Sequence, residues 1–296
     1  MALPELLDPV PHSVGLNRPA RQLPALACDA HMHIFAPEFA PSAHWPRTPP
    51  VARVDAYRQL QQRLGTERSV VVTPSTYGTD NACTLDALRQ LGAGARGVAV
   101  VDQDVSDAAL SDLAAQRVCG LRVNFVSPQS WGETTPEMLV TLAHKIAGAG
   151  WHLQLFARPE QIVALAPVLQ SLPVPLVIDH MGLDHPKAPN LQARALVLGL
   201  LQAGNTWVKL SGAYMRSAVH GPGYADTLPW GRALVQAAPE RLVWGSDWPH
   251  TTEAPGTVND ADLVDLLQRG CDSDAVMDRI LVDNPARLYG FAPAGA

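Results

Sequence analysis

Eight short, mostly β-branched apolar runs alternate with helix-like stretches along the chain, and this alternation constrains the fold more than any other feature. The runs are LACDAHMHIF (26–35), RSVVVTPS (68–75), RGVAVVD (96–102), VCGLRVNFV (118–126), WHLQLFA (151–157), PLVIDHMG (175–182), TWVKLSG (206–212) and RLVWGSDWP (241–249). Between them lie amphipathic segments such as NACTLDALRQLG, TPEMLVTLAHKIAGAG and LQARALVLGLLQAG. Several open on Ser, Thr, Asp or Pro and close on Gly, the start and stop chemistry of helices. Strands that are apolar throughout are covered on both faces, which indicates a parallel sheet with helical crossovers. Eight such units in 296 residues predict an α/β protein with one closed (β/α)8 barrel over 25–296, preceded by an extension over 1–24. An open doubly wound sheet would carry a Gly-rich first βα turn, and the sequence has none. The Pro-rich stretch 37–50 reads as a long loop after the first strand. LVDNPARLYGF reads as a last helix that docks its aromatic end on the barrel.

Composition narrows the setting. The net charge is -6 and no Lys/Arg-rich run occurs, which argues against nucleic acid as a partner. Four scattered cysteines without a C-x-x-C pair suggest reduced thiols in a cytoplasmic protein. No apolar run reaches the roughly 20 residues of a membrane span, and the opening residues show no signal-peptide pattern. Oligomerisation with further copies is left open.

In a barrel of this kind the active site gathers at the C-terminal ends of the strands. The polar residues predicted there are Asp29, His31 and His33 on strand one, with Ser75 and Tyr77 after strand two. Arg122 and Asn124 follow on strand four, His152 and Gln154 on strand five, and Asp179 and His180 on strand six. Lys209 and Ser211 belong to strand seven, and Asp247 and His250 to strand eight. Alternation at period 2 places Asp29, His31 and His33 on one side, the barrel interior. Singly, each has a plain reading: Arg122 as an ion-pair partner, Asp247 as a cap, Lys209 pointing outward. Charged groups and imidazoles in an apolar barrel are costly unless paired or used, so their convergence on one rim indicates chemistry.

The segments DAHMHIF, DHMG, WVKLSGAY, ERLVWGSDWPH and NPARLYGF resemble the amidohydrolase superfamily, specifically the branch of 2-pyrone-4,6-dicarboxylate lactonases and sugar-lactone hydrolases. The resemblance implies a distorted barrel and a hydrolase that opens a cyclic ester by water attack. Asp247 is then the general base, with His31, His33 and His180 lining its pocket. Arg122 and Arg216 bind substrate carboxylates, making an anionic lactone the expected partner. Ser75, Tyr77, Asn124, Gln154 and His250 are expected to complete the substrate pocket. Phe156 stands where that branch suggests a tyrosine, and SPQSWGE (127–133) supplies no second arginine; both leave room for another lactone, including a neutral sugar lactone. Strand four has no lysine for a two-metal centre. One divalent ion (Zn2+) on His31, His33, His180 and Asp247 stays open geometrically, but the branch implies that none is required. The alternative on the same barrel is a metal-dependent decarboxylase of an aromatic acid.

Overall fold

The computed structural model describes residues 8–127, 129, 132–219 and 223–292. All eight apolar runs form strands: β1 (Cys28–Met32), β2 (Arg68–Val72), β3 (Ala95–Ala99), β4 (Val118–Asn124), β5 (His152–Phe156), β6 (Leu176–Ile178), β7 (Thr206–Leu210) and β8 (Leu242–Trp244). They pair in parallel, in chain order, as one eight-stranded sheet. The helices are α1 (Val54–Leu64), α2 (Ala82–Leu91), α3 (Asp107–Ala115), α4 (Pro136–Ile146), α5 (Pro159–Ala164), α6 (Ala166–Leu169), α7 (Leu191–Gln202), α8 (Leu228–Ala237), α9 (Asp260–Gly270), α10 (Asp274–Asp278) and α11 (Asn284–Tyr289). Local chemistry sets their starts. Ser106 accepts a hydrogen bond from Ala109 N before α3, and Thr135 accepts one from Met138 N before α4, with proline following at the first helical position.

Closure falls to the segment after β8. Asp247 N donates to His31 O at 2.8 Å, and His33 N donates to Trp248 O at 2.8 Å. Gly245 permits this approach, since a Cβ there would lie 2.6 Å from His31 Cβ and 2.7 Å from His31 N. The barrel is therefore distorted at the β1–β8 seam. Its floor is sealed by α11 and the residues after it: Tyr289 and Phe291 pack with Cys28, Val70 and Val243. The described part of the extension is tied to the segment after β8. Pro11 O accepts from Trp248 Nε1 at 2.9 Å, and Val14 N donates to Val258 O at 2.8 Å.

One expectation about β1 is corrected. Asp29 pairs with Ser69 and Met32 with Val71, so three steps on β1 match two on β2. A bulge of this kind flips the face of the residues beyond it. Asp29 thus accepts from Tyr57 Oη of α1 at 3.0 Å and from Ser246 Oγ at 2.6 Å, while His31 and His33 come together. Asp29 does not share their face.

Candidate active site

Asp247 is the centre of the cluster. Its Oδ1 lies 3.4 Å from both His31 Nε2 and His33 Nε2, and its Oδ2 accepts from Tyr214 Oη at 2.5 Å. Burial works against ionisation, but the neighbouring imidazoles, His180 first and then His33 and His31, outweigh it and hold the carboxyl well below the usual carboxylate range. Burial, then the charge of Lys209, pushes the basicity of His31 well below an ordinary imidazole; burial lowers that of His180. The cluster thus combines a carboxylate with weakly basic imidazoles.

The backbone is bent to bring these groups together. Asp247 has φ 61° and His180 φ 50°, left-handed conformations that cost a side-chain-bearing residue of order 1–3 kcal/mol and concentrate at functional sites. His180 Nδ1 hydrogen-bonds Ser211 Oγ at 2.8 Å, and its ring lies 4.7 Å from that of His31. Gly212 makes room, for a Cβ there would sit 2.9 Å from His180 Nδ1.

Beneath the cluster runs a second, fully buried layer. Arg122 Nε donates to Asp179 Oδ2 at 3.1 Å, and Gln154 Nε2 donates to the same oxygen at 3.0 Å. Lys209 Nζ donates to Gln154 Oε1 at 2.8 Å and to Ala30 O at 2.9 Å. Burial pulls the Lys209 ammonium down to about 8 against the opposing charge of Asp179. Burial also resists ionisation of Asp179, yet His31, Arg122 and Lys209 together keep its carboxyl well below the ordinary range. Lys209 therefore points inward, which decides between the two orientations that the sequence left open. Its parity with Trp207 and Ser211 on β7 was the available signal. Tyr214, which no spacing singled out, is the other addition.

The remaining residues divide into those facing a ligand space and those committed to the scaffold. Arg216, Phe156, Arg158, Leu183, His185 and Glu253 line a cleft of about 490 Å3 above the strand ends. Phe156 lies 5.3 Å edge-on to His180, and the Arg122 guanidinium stands over its ring at 4.8 Å in a cation–π contact. Arg216 shares a smaller hollow with His180, and its Nε is buried without a hydrogen-bond partner among the described residues. Asn124 donates to Ser75 Oγ at 2.7 Å and accepts from Val126 N and Ser127 N, holding the loop after β4. Gln154 is spent on Asp179 and Lys209. Tyr77 Oη accepts from Ala36 N. His250 bonds Asp260 through Nε2 at 3.1 Å and packs edge-on to Tyr214, behind Asp247. In 127–133, residues 128, 130 and 131 lie outside the described residues.

The same atoms could hold a metal ion. His31, His33 and Asp247 form one such group; His31, Asp179 and His180 form another. A tetrahedral ion with ligands at about 2.0–2.1 Å keeps them about 3.3–3.4 Å apart. His31 Nε2 and His33 Nε2 are 3.3 Å apart, and each is 3.4 Å from Asp247 Oδ1. The spacing fits one divalent ion.

A parallel barrel whose C-terminal mouth sets imidazoles against an ionised carboxylate defines a barrel enzyme equipped for acid–base chemistry. The amidohydrolase family model matches residues 28–291, and the chain belongs to that family. It is 35% identical to the 2-pyrone-4,6-dicarboxylate hydrolase of Comamonas testosteroni, over 92% of this chain and 93% of that protein. It is 33% identical to the 4-sulfomuconolactone hydrolase of Hydrogenophaga intermedia, over 99% and 97%. A crystal structure of a probable 2-pyrone-4,6-dicarboxylic acid hydrolase from Acinetobacter baumannii, with citric acid bound, superposes with a TM-score of 0.77 at 26% identity, covering 90% of this chain and 100% of that one.

Proposed function

We propose that this protein is a hydrolase that opens a lactone bearing an anionic group, with Asp247 as the general base. The observation that carries the reading is the Asp247 carboxylate, 3.4 Å from the Nε2 atoms of His31 and His33, with His180, whose ring lies 4.7 Å from that of His31, sharing a hollow with Arg216. Two relatives are named as hydrolases of 2-pyrone-4,6-dicarboxylate and of 4-sulfomuconolactone, which supports the same class here; 2-pyrone-4,6-dicarboxylate is the first substrate to assay.

In this reading Asp247 takes a proton from water as its oxygen adds to the lactone carbonyl carbon. Negative charge grows on the carbonyl oxygen, and imidazole N–H groups at His31 and His180 donate to it. The ring C–O bond then breaks. The proton held by Asp247 passes to the departing oxygen, leaving a new carboxylic acid and a free hydroxyl or enol. The guanidinium groups of Arg122 and Arg216 anchor the acidic substituent, fixing the ring in attack geometry. The imidazoles around Asp247 keep its carboxyl ionised, which supports a first reading in which no metal is required. The donor spacing supports a second reading, in which His31, His33 and Asp247 would hold one divalent ion, and that ion would supply Lewis-acid activation of the carbonyl and of water.

A panel of carboxylated and neutral lactones, followed by loss of ring absorbance before and after chelation, tests both. Opening of an anionic lactone that survives chelation is the expected result. Loss on chelation with recovery on adding Zn2+ selects the second reading. Failure to open any lactone contradicts both.

A further inference from the structure

Lys209 stands beneath His31, fully buried at the centre of the barrel. Two of its ammonium protons go to Ala30 O and Gln154 Oε1. For the third, His31 Nδ1 lies at 3.2 Å and Asp179 Oδ1 at 3.8 Å. An ammonium has no lone pair to offer, so the ring nitrogen it faces must supply one. The rival partner for His31 Nδ1, Asp179 Oδ1, lies farther away, at 3.4 Å. On the neighbouring ring the opposite holds. His33 Nδ1 lies 2.7 Å from Val72 O, a carbonyl that only accepts, so His33 carries a proton on Nδ1 and its neutral ring has a lone pair at Nε2. The two Nε2 atoms, 3.3 Å apart, then match as donor and acceptor.

We propose that Lys209 is a positioning residue that holds His31 as its Nε2–H tautomer, making this ring a hydrogen-bond donor to the reaction centre and a poor metal ligand. The role in catalysis rests on the lactone-opening reading; the tautomer does not. A metal at His31 Nε2 needs the lone pair there and the proton on Nδ1, where an acceptor and not an ammonium must face it. The Lys209 cation thus works against the ion that the donor spacing would otherwise accept.

The test uses the full chain labelled with 15N-histidine, freed of metal, at mildly acidic pH, with the His31 signals assigned by their loss in His31→Asn. Long-range 1H–15N correlation is expected to show His31 with a pyrrole-type Nε2 and a pyridine-type Nδ1. A protonated Nδ1 in the wild type overturns the proposal whatever the lactone assays give. In Lys209→Met the tautomer is expected to switch, and the affinity for Zn2+ alone, by calorimetry, to rise roughly tenfold or more. An unchanged tautomer in the folded variant overturns it too. If that variant does not fold, the wild-type spectrum decides. A wild type with the expected tautomer that opens no lactone removes the functional reading and leaves the tautomer assignment standing.

Discussion

Arg216 illustrates how much a single side chain can decide. It sits at the rim with a buried Nε that no described residue satisfies, whereas the Nε of Arg122 is bound to Asp179. Arg216→Met is therefore the cleaner probe of anion binding. It should raise KM roughly tenfold to a hundredfold for a carboxylated lactone, the worth of one charge-assisted hydrogen bond, and leave a neutral lactone unaffected. Equal effects on both substrates would remove Arg216 as the anchor. His250 gives a pH-dependent prediction. Burial opposes its charge, but Asp260 raises its folded-state value above the ordinary imidazole. The pair thus stabilises fully below about pH 6.5, the unfolded value, and the contribution fades as pH rises through the folded value. His250→Gln should cost about 3 kcal/mol at acidic pH and clearly less at alkaline pH, by denaturant midpoints. An equal loss at both extremes would contradict the ion pair. Asp247, His31, His33 and His180 were legible in the sequence because their residue types are rare at strand ends in an apolar barrel. Lys209 was not, because Val208 and Leu210 on either side make its parity ambiguous.

At the scale of elements, each strand was readable because burial on both faces leaves an apolar run, and helices such as α3, α4 and α7 because Ser, Thr or Asn caps them. What the pattern does not carry is the bulge in β1. Period 2 holds only within an unbroken ladder, so an extra residue between Asp29 and Met32 reverses the face of Asp29 without any mark in the composition. The seam between β1 and β8 is similar: its closeness depends on Gly245, whose missing side chain lets the segment after β8 reach His31. Gly245→Ala should destabilise by about 1–3 kcal/mol, the range for forced overpacking, and lower activity through displacement of His31 and Asp247. A thermal midpoint and kcat both equal to wild type would show that the seam tolerates a methyl group.

For the molecule as a whole, the barrel gathers at one mouth side chains that lie 216 positions apart in the chain, from His31 to Asp247. The apolar floor around Tyr289 and Phe291 keeps water from the lower half. Asp179 and Lys209 lie against His31 in the barrel interior, and Gln154 hydrogen-bonds both. Among the described residues no helix is long and apolar enough to cross a membrane. The central claim is that the Asp247 carboxylate turns water against a bound anionic lactone. Asp247→Asn, nearly isosteric, tests it most directly when turnover and equilibrium binding of the same carboxylated lactone are measured together. The expected outcome is binding within a factor of about two of wild type, with kcat lower by roughly 10²–10⁴. Retention of wild-type kcat in the folded Asn variant would contradict it.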